Sequence, residues 1–151
     1  MVSLATTMAP SFYALHHDIK QRKHSNYWLK GGRGSTKSSF ISLEIVLGIM
    51  KDSEANAVVL RKVAETLRRS VFDQYLWAID TLGVADYWKD STSPLTLTYI
   101  PTGQQIRFLG ADKPRKIKSQ KFRRGYIKFK HYEEADEFDS WSDVRNINQS
   151  L

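Results

Sequence analysis

Short apolar runs alternate along the chain with longer segments in which apolar side chains recur every three or four residues. The short runs predict β-strands at 26–30, 56–60, 96–100, 105–109 and 126–132. The longer segments predict helices at 11–22, 37–51 and 64–82, with a loop and a helix from 135 onward. Residues 111–125 are polar and basic, which is typical of a loop.

The order of these elements predicts an α/β fold, with a mostly parallel sheet that is flanked by helices. Pro101, Thr102 and Gly103 separate two neighbouring strands, and they predict an inserted hairpin. The chain ends in NINQSL, with no closing strand and no polar tail. We therefore expect the sheet to be incomplete and the chain to be the front part of something longer.

The composition is that of one globular domain. The chain has 151 residues, of which 41% are hydrophobic and 26% are charged, and this length is enough to bury a core. No apolar run reaches the roughly 18–20 residues that a membrane span needs. The start of the chain also lacks the basic residues of a signal peptide. The chain has no cysteine, which excludes disulfides, thiolate zinc sites and cysteine nucleophiles.

The charge is unevenly distributed along the chain. Residues 1–130 carry 22 basic and 10 acidic side chains, whereas residues 131–151 carry one basic and six acidic side chains. A strongly basic body suggests a polyanionic partner. The same charge is equally compatible with an ordinary solvated surface.

A glycine-rich segment joins the first predicted strand to the long helix at 37–51, which is the context of a phosphate-binding loop. Glycines let successive N–H groups point inward, and the helix start adds positive potential. Lys37 would bind the β- and γ-phosphates, and the Ser38 hydroxyl would bind Mg²⁺. Thr36 stands where the usual pattern has glycine. The predicted nucleotide-binding residues are Gly31, Gly32, Arg33, Gly34, Ser35, Thr36, Lys37, Ser38 and Ser39. The alternative is a glycine turn that merely joins a strand to a helix.

Two adjacent carboxylates, Glu133 and Glu134, follow the last predicted strand. A nucleotide hydrolase needs one carboxylate near Mg²⁺ and one to orient water, so we assign Glu133 to the metal and Glu134 to catalysis. The alternative is an acidic helix start, which suits the helix dipole. Lys130 and His131 are unusual in a buried central strand, and a position near the sheet edge would explain them.

Five segments together resemble the large subunit of double-stranded DNA phage terminases, in particular the PBSX type of Gram-positive phages and prophages. The segments are GGRGSTKSSF (31–40), VVLRKVAETLRRSVFDQYLWAI (58–79), FLGADKPRKIKS (108–119), YEEADEF (132–138) and VRNINQSL (144–151). The resemblance implies a helical lead-in at 1–24 and the first part of a P-loop NTPase-like ATPase domain at 25–151, without the family's nuclease domain. It also implies ATP and Mg²⁺ as cofactors, with Arg33 near the γ-phosphate.

The resemblance further implies a motor that uses ATP hydrolysis to move viral DNA into the procapsid, in the cytoplasm of the bacterial host. Its implied partners are double-stranded DNA, a small terminase subunit, the portal protein and further copies in a homo-oligomeric ring, with no membrane. We expect the 151-residue chain alone to hydrolyse ATP weakly or not at all. Two alternatives stay open: a non-catalytic prophage remnant that binds nucleic acid or terminase partners, and an unrelated P-loop ATPase such as a helicase-like protein.

Further basic and aromatic residues give weaker predictions. Residues 113–130 are basic with interleaved aromatics and could follow a DNA backbone, although a solvated loop is the alternative. Arg123 or Arg124, with Arg124 as our choice for a catalytic residue, could reach a neighbouring subunit's γ-phosphate. Arg61 ends the second strand near the expected site. The four tryptophans, Trp28, Trp77, Trp88 and Trp141, are expected in the core.

Overall fold

The described part of the chain, residues 3, 7–30, 36–66 and 70–151 of a computed structural model, folds around one five-stranded sheet. The strands are β1 (Ala55–Arg61), β2 (Trp88–Thr92), β3 (Leu95–Tyr99), β4 (Gln104–Gly110) and β5 (Tyr126–Tyr132). The α-helices are α1 (Tyr13–Lys20), α2 (Lys37–Lys51), α3 (Val71–Thr81), α4 (Pro114–Lys118) and α5 (Trp141–Ser150). Within the described ranges, no helix is both long and apolar enough to cross a membrane.

The sheet is mixed, with the strand order β2-β3-β4-β1-β5. β1 lies between β4 and β5 and is parallel to both, whereas β2, β3 and β4 pair with one another in antiparallel fashion. The α/β class and the hairpin are therefore confirmed, but the prediction of a mostly parallel sheet is wrong. Short turns join β2 to β3 and β3 to β4, and such turns leave no room for the crossover that parallel neighbours require.

One helix prediction and one loop prediction need correction. The helix expected at 64–82 begins only at Val71, because Ser70 has a non-helical backbone (φ −133°, ψ −78°) and a short 3₁₀ turn occupies Ala64–Thr66. The loop expected at 111–125 contains the short helix α4, which starts with Pro114 and buries Ile117. Proline is favoured in the first turn of a helix. Ile117 is the one buried residue of this short helix, so the sequence shows no helical periodicity of apolar residues there.

The strand expected at 26–30 is absent: these described residues have no regular secondary structure, and Trp28 is 58% exposed. The apolar run is short and carries no period that distinguishes a strand from a loop. Trp28 contacts Trp141 with 4.8 Å between ring centroids, and both rings are exposed. Among the four tryptophans only Trp88 is buried, so the expectation of core positions is wrong for Trp28, Trp77 and Trp141.

Helices cover both faces of the sheet. The face under α2 and α3 carries the main core, which includes Val46, Val59, Tyr75 and Phe108. The face under α4 and α5 carries a smaller core around Val58, Leu60 and Ile117. β1 is buried on both faces from Ala55 to Leu60, as expected of a strand that is apolar there apart from Asn56, and it lies between two parallel neighbours in the sheet.

The lead-in helix α1 is held against α2 by two contacts. The rings of Phe12 and Phe40 stack with 4.6 Å between their centroids. His16 Nδ1 contacts the carboxylate of Glu44, a half-buried pair. Burial raises the pKa of Glu44, and the hydrogen bond and charge of His16 oppose that rise in part. The first predicted helix is thus confirmed and packs on the outer side of α2.

Candidate nucleotide and metal site

The helix α2 begins next to the predicted phosphate loop. Residues 31–35, and with them the predicted ligands Gly31, Gly32, Arg33, Gly34 and Ser35, lie outside the described residues. Thr36 precedes α2 in the left-handed conformation (φ 61°, ψ 14°). This backbone is strained by about 1–2 kcal/mol for a residue with a side chain, and glycine adopts it freely. Thr36 therefore keeps the conformation that suits the glycine of the usual pattern.

Ser38 and Glu133 come together although 95 residues separate them in sequence. The Ser38 hydroxyl donates a hydrogen bond to Glu133 Oε1 over 3.2 Å. The Glu133 backbone N–H donates to the Leu60 carbonyl oxygen over 2.8 Å, which extends the pairing of β5 with β1 to the start of this turn. The carboxyl ends of β1 and β5 and the first turn of α2 therefore meet at one edge of the sheet.

The environment of Glu133 keeps its carboxylate ionised. Burial alone would raise its pKa, but the neighbouring imidazole of His131, the hydrogen bond from Ser38 and the positive charge of Arg61 outweigh burial and lower it. The Glu133 side chain is 14% exposed, so it is partly accessible to solvent. An ionised, partly buried carboxylate beside a hydroxyl is a suitable site for a cation.

The two oxygens fit Mg²⁺. This ion holds oxygen ligands at about 2 Å in octahedral geometry, which places neighbouring ligands about 3 Å apart. The 3.2 Å between Ser38 Oγ and Glu133 Oε1 is compatible with two such positions. In the described ranges no three His, Cys, Asp or Glu side chains form a metal cluster. Mg²⁺ usually keeps several waters and takes further ligands from phosphate oxygens, so a candidate site can rest on these two protein oxygens.

Behind Glu133 lies a buried polar contact to α3. His131 Nε2 is 3.0 Å from Glu133 Oε2, and His131 Nδ1 is 2.9 Å from the Tyr75 hydroxyl. His131 faces the core under α3, and β5 is an edge strand of the sheet. Lys130 points to the other face and donates to the Asn148 carbonyl oxygen over 3.2 Å. The edge position explains why the strand tolerates the half-buried Lys130, whereas the buried His131 is tolerated because its ring nitrogens face the polar groups of Tyr75 and Glu133.

The remaining residues at this edge have defined surroundings. Lys37 is the first residue of α2 and is half-buried. The Ser39 hydroxyl accepts a hydrogen bond from Gln74 Nε2 over 3.3 Å, which joins α2 to α3. Glu134 is exposed and has left-handed backbone geometry (φ 50°, ψ 56°), which directs the chain away from the strand. Its catalytic role stays a prediction.

Arg61 lies at the carboxyl end of β1, as the sequence predicts. Its guanidinium donates to the Ser70 hydroxyl over 2.7 Å and contacts Glu137 Oε1 at 3.3 Å. Lys62 pairs with Asp139 at 2.6 Å. These pairs connect the end of β1 to the acidic turn that follows Glu133, so part of the acidic stretch is used to hold this edge together.

Arg124 lies at the opposite edge. It precedes β5, whereas Glu133 follows it, and a seven-residue strand spans about 20 Å. Its guanidinium pairs with Glu54 Oε1 at 2.8 Å, and its side chain is 57% exposed. Arg124 is therefore not part of the site in its own subunit. Its proposed action on a neighbouring subunit stays a prediction.

Sequence reasoning missed Tyr75 and Gln74. His131 carried a usable signal, because side chains two residues apart on a strand share a face, and Glu133 follows at that spacing. Tyr75 carried no such signal in the sequence, because its partner His131 lies 56 residues away.

Comparison with known proteins decides the family. A sequence model of the family described as phage terminase large subunit matches residues 23–151. The chain belongs to the phage terminase large subunit family. It is 41% identical over 150 residues to the terminase large subunit of Bacillus phage SPP1, which covers 99% of this chain and 35% of that protein.

A second relative is the PBSX phage terminase large subunit of Bacillus subtilis strain 168, with 39% identity over 92 residues. That match covers 61% of this chain and 21% of the PBSX protein. The resemblance to terminase large subunits is thus confirmed. This chain nevertheless spans only about a third of the SPP1 terminase subunit.

Proposed function

We propose that this chain is the ATP-binding part of a phage DNA-packaging motor. The observation that carries the proposal is the 3.2 Å contact between Ser38 and Glu133. The two residues were assigned to one Mg²⁺ site from separate motifs, and a glycine turn that only joins two elements would not need them to meet. Membership of the terminase family supports the same reading.

In this proposal each residue has a defined task. Lys37 binds the β- and γ-phosphates of ATP, while Ser38 and Glu133 hold Mg²⁺. When bound, Mg²⁺ would neutralise charge on the phosphate oxygens. Glu134 orients the water that attacks the γ-phosphorus, and ADP is the leaving group. The work in the cell would involve double-stranded DNA, a small terminase subunit, the portal protein and a ring of copies in the host cytoplasm.

Nucleotide binding tests the proposal directly. Fluorescent ATP should bind the full chain in the presence of Mg²⁺, and Lys37→Ala should weaken binding by about 10–100-fold, since one charge-assisted contact to phosphate is lost. Lys51→Ala is the matched control, because Lys51 is exposed at the other end of the same helix. Glu133→Gln should make ATP binding less dependent on Mg²⁺, and Glu134→Gln should leave ATP binding intact. Equal binding by wild type and Lys37→Ala would contradict the proposal.

A second candidate function, polyanion binding, is favoured by a basic surface on α4 and the loop that follows it. We define the basic surface as Lys113, Arg115, Lys116, Lys118, Lys121 and Arg123. All six side chains are exposed, and within the described ranges none of them forms an ion pair. Unpaired basic side chains on one surface can follow a phosphate backbone without reading sequence.

The salt dependence of DNA binding tests this second function. The double variant Lys116→Glu with Lys118→Glu should bind duplex DNA more weakly, and its slope of log K against log salt should become less negative by about two units. Lys89→Glu is the control, because Lys89 is exposed on β2 at the far edge of the sheet. Loss of DNA binding with intact ATP binding would separate the two functions. An unchanged slope in the double variant would exclude the basic surface.

A further inference from the structure

Two buried side chains stand behind Glu133, and the proposed function gives them no task. Tyr75 on α3 is fully buried, and His131 on β5 is 5% exposed. They connect α3 to the candidate site through a chain of contacts: Tyr75 to His131 at 2.9 Å, His131 to Glu133 at 3.0 Å, and Glu133 to Ser38 at 3.2 Å. Buried polar groups are retained where each has a partner, so this chain needs a physical account.

The ring of His131 has a definite orientation. Burial, and secondarily the negative charge of Glu133, raises the pKa of Tyr75 well above its usual value, so its hydroxyl keeps its proton and can donate. When Tyr75 donates to Nδ1, the imidazole proton lies on Nε2, which faces Glu133 Oε2. Nε2 is fully buried and makes no aligned hydrogen bond among the described residues, so the carboxylate at 3.0 Å is an acceptor within its reach.

Tyr75 is itself held firmly. Its ring packs edge-on against Phe108 with 5.3 Å between centroids and an interplanar angle of 85°. Phe108 lies on β4 within the main core, and it also contacts Phe72 edge-on at 5.1 Å. The hydroxyl of Tyr75 is therefore fixed by packing, and the fixed hydroxyl in turn limits rotation of the His131 ring.

We propose that Tyr75 and His131 are positioning residues that hold Oε2 of Glu133, so that Oε1 faces Ser38 and the cation. The inference rests on the proposed function, because it gives Glu133 the role of a Mg²⁺ ligand. Groups that orient a ligating carboxylate affect metal affinity although they do not touch the metal. The alternative is that the pair only fills the core, in which case metal affinity is independent of it.

Magnesium titrations of ATP binding separate these alternatives. With fluorescent ATP at a fixed concentration, His131→Leu should raise the Mg²⁺ concentration for half-maximal binding by about 10–100-fold. Tyr75→Phe, which removes only the hydroxyl, should raise it by about 3–10-fold. His131→Gln keeps an N–H that can reach Glu133 and should recover most of the loss. ATP binding without divalent cation should change less than about twofold in all three variants.

Tyr99→Phe is the control, because Tyr99 is a half-buried tyrosine on β3, at a distance from β5 in the sheet. Circular dichroism and urea unfolding will show whether each variant is folded. If His131→Leu is unfolded, the Mg²⁺ titration of Tyr75→Phe tests the inference in its place. Folded variants with the Mg²⁺ requirement of the wild type would overturn the inference.

The ¹⁵N spectrum of the histidine side chains gives a readout that does not depend on nucleotide. His131 should show the Nε2–H tautomer in the wild type, and Tyr75→Phe should shift its Nδ1 resonance, since that nitrogen loses its donor. If the wild type does not bind ATP, the proposed function fails, and this spectrum still tests the contact chain. A His131 spectrum that is identical in Tyr75→Phe would overturn the inference.

Discussion

The amide of Gln104 joins the end of α2 to the start of β1, and its removal should destabilise the fold strongly. Gln104 is 3% exposed at the start of β4. Its Nε2 lies 2.9 Å from the Ile49 carbonyl oxygen, 2.6 Å from that of Asp52 and 2.6 Å from that of Ala55. The Ile49 carbonyl lies in the last turn of α2, where carbonyls lack helical N–H partners.

The expected loss of stability follows from the number of hydrogen atoms on the Gln104 amide nitrogen. An amide nitrogen carries two, so Gln104→Met removes at most two donated hydrogen bonds at about 1 kcal/mol each. It also removes the hydrogen bond that Gln104 Oε1 accepts from the hydroxyl of the half-buried Thr102 at 2.6 Å. It also leaves at least one buried carbonyl unpaired, which costs about 1–3 kcal/mol. Methionine has a similar length and fills the space, so a cavity contributes little. We therefore expect the free energy of unfolding to fall by about 2–4 kcal/mol, with a melting temperature lower by about 10 °C.

Urea unfolding, monitored by tryptophan fluorescence and circular dichroism, measures this change. Gln149→Met is the control, because Gln149 is exposed on α5 and should change stability by less than about 0.5 kcal/mol. If Gln104→Met were as stable as this control, the amide would not secure the end of α2. The reasoning from buried carbonyls would then be wrong.

Three further substitutions test two other features of the fold. The pKa of Asp52 is lowered from 3.8 to about 2, mainly by a hydrogen bond from Lys128 and to a lesser degree by one from the Glu54 backbone. This carboxylate therefore stabilises the fold above about pH 4 and loses that effect as the pH falls towards 2. Because the Asp52 side chain is 26% exposed, Asp52→Asn should lower the free energy of unfolding by only about 1 kcal/mol at pH 7, as measured in urea. This difference in stability from the wild type should vanish near pH 2, and a difference that persists there would contradict the assignment. Gly125 and Gly103 both have φ 76°, but an added Cβ at Gly125 would lie 1.9 Å from the Glu54 carbonyl oxygen, whereas at Gly103 it meets open space. Gly103→Ala should therefore cost about 1 kcal/mol and Gly125→Ala about 2–4 kcal/mol, and equal losses would show that the close approach is unimportant.

The site could be anticipated in part because its two halves lie at predictable ends of elements. The apolar spacing of 37–51 predicted α2, and the run at 126–132 predicted β5. In a sheet with parallel neighbours, strand ends and helix starts meet at one edge, so Ser38 and Glu133 could be expected to approach each other. The phosphate-loop residues themselves, 31–35, lie outside the described ranges and stay predictions.

Other features depended on contacts that no local pattern contains. Tyr75 looked like one apolar position on a helix, and only the packing of α3 against the sheet brought its hydroxyl to His131. Trp28 looked like part of a buried strand, yet it is exposed and packs against Trp141, which lies 113 positions further along the chain. An apolar run shows that a residue can be buried, whereas the number of neighbouring elements decides whether it is.

The sequence predicts the α/β class, the main helix and central strand, the terminase resemblance and the residue types of a candidate phosphate and Mg²⁺ site. These depend on local hydrogen bonding, side-chain periodicity and motif spacing, which are written in neighbouring residues. The mixed strand order, the edge position of β5 and the contacts of Glu133 with Ser38 and His131 are evident only in the folded structure. Those depend on which distant surfaces pack together, and that choice is made by the whole core at once.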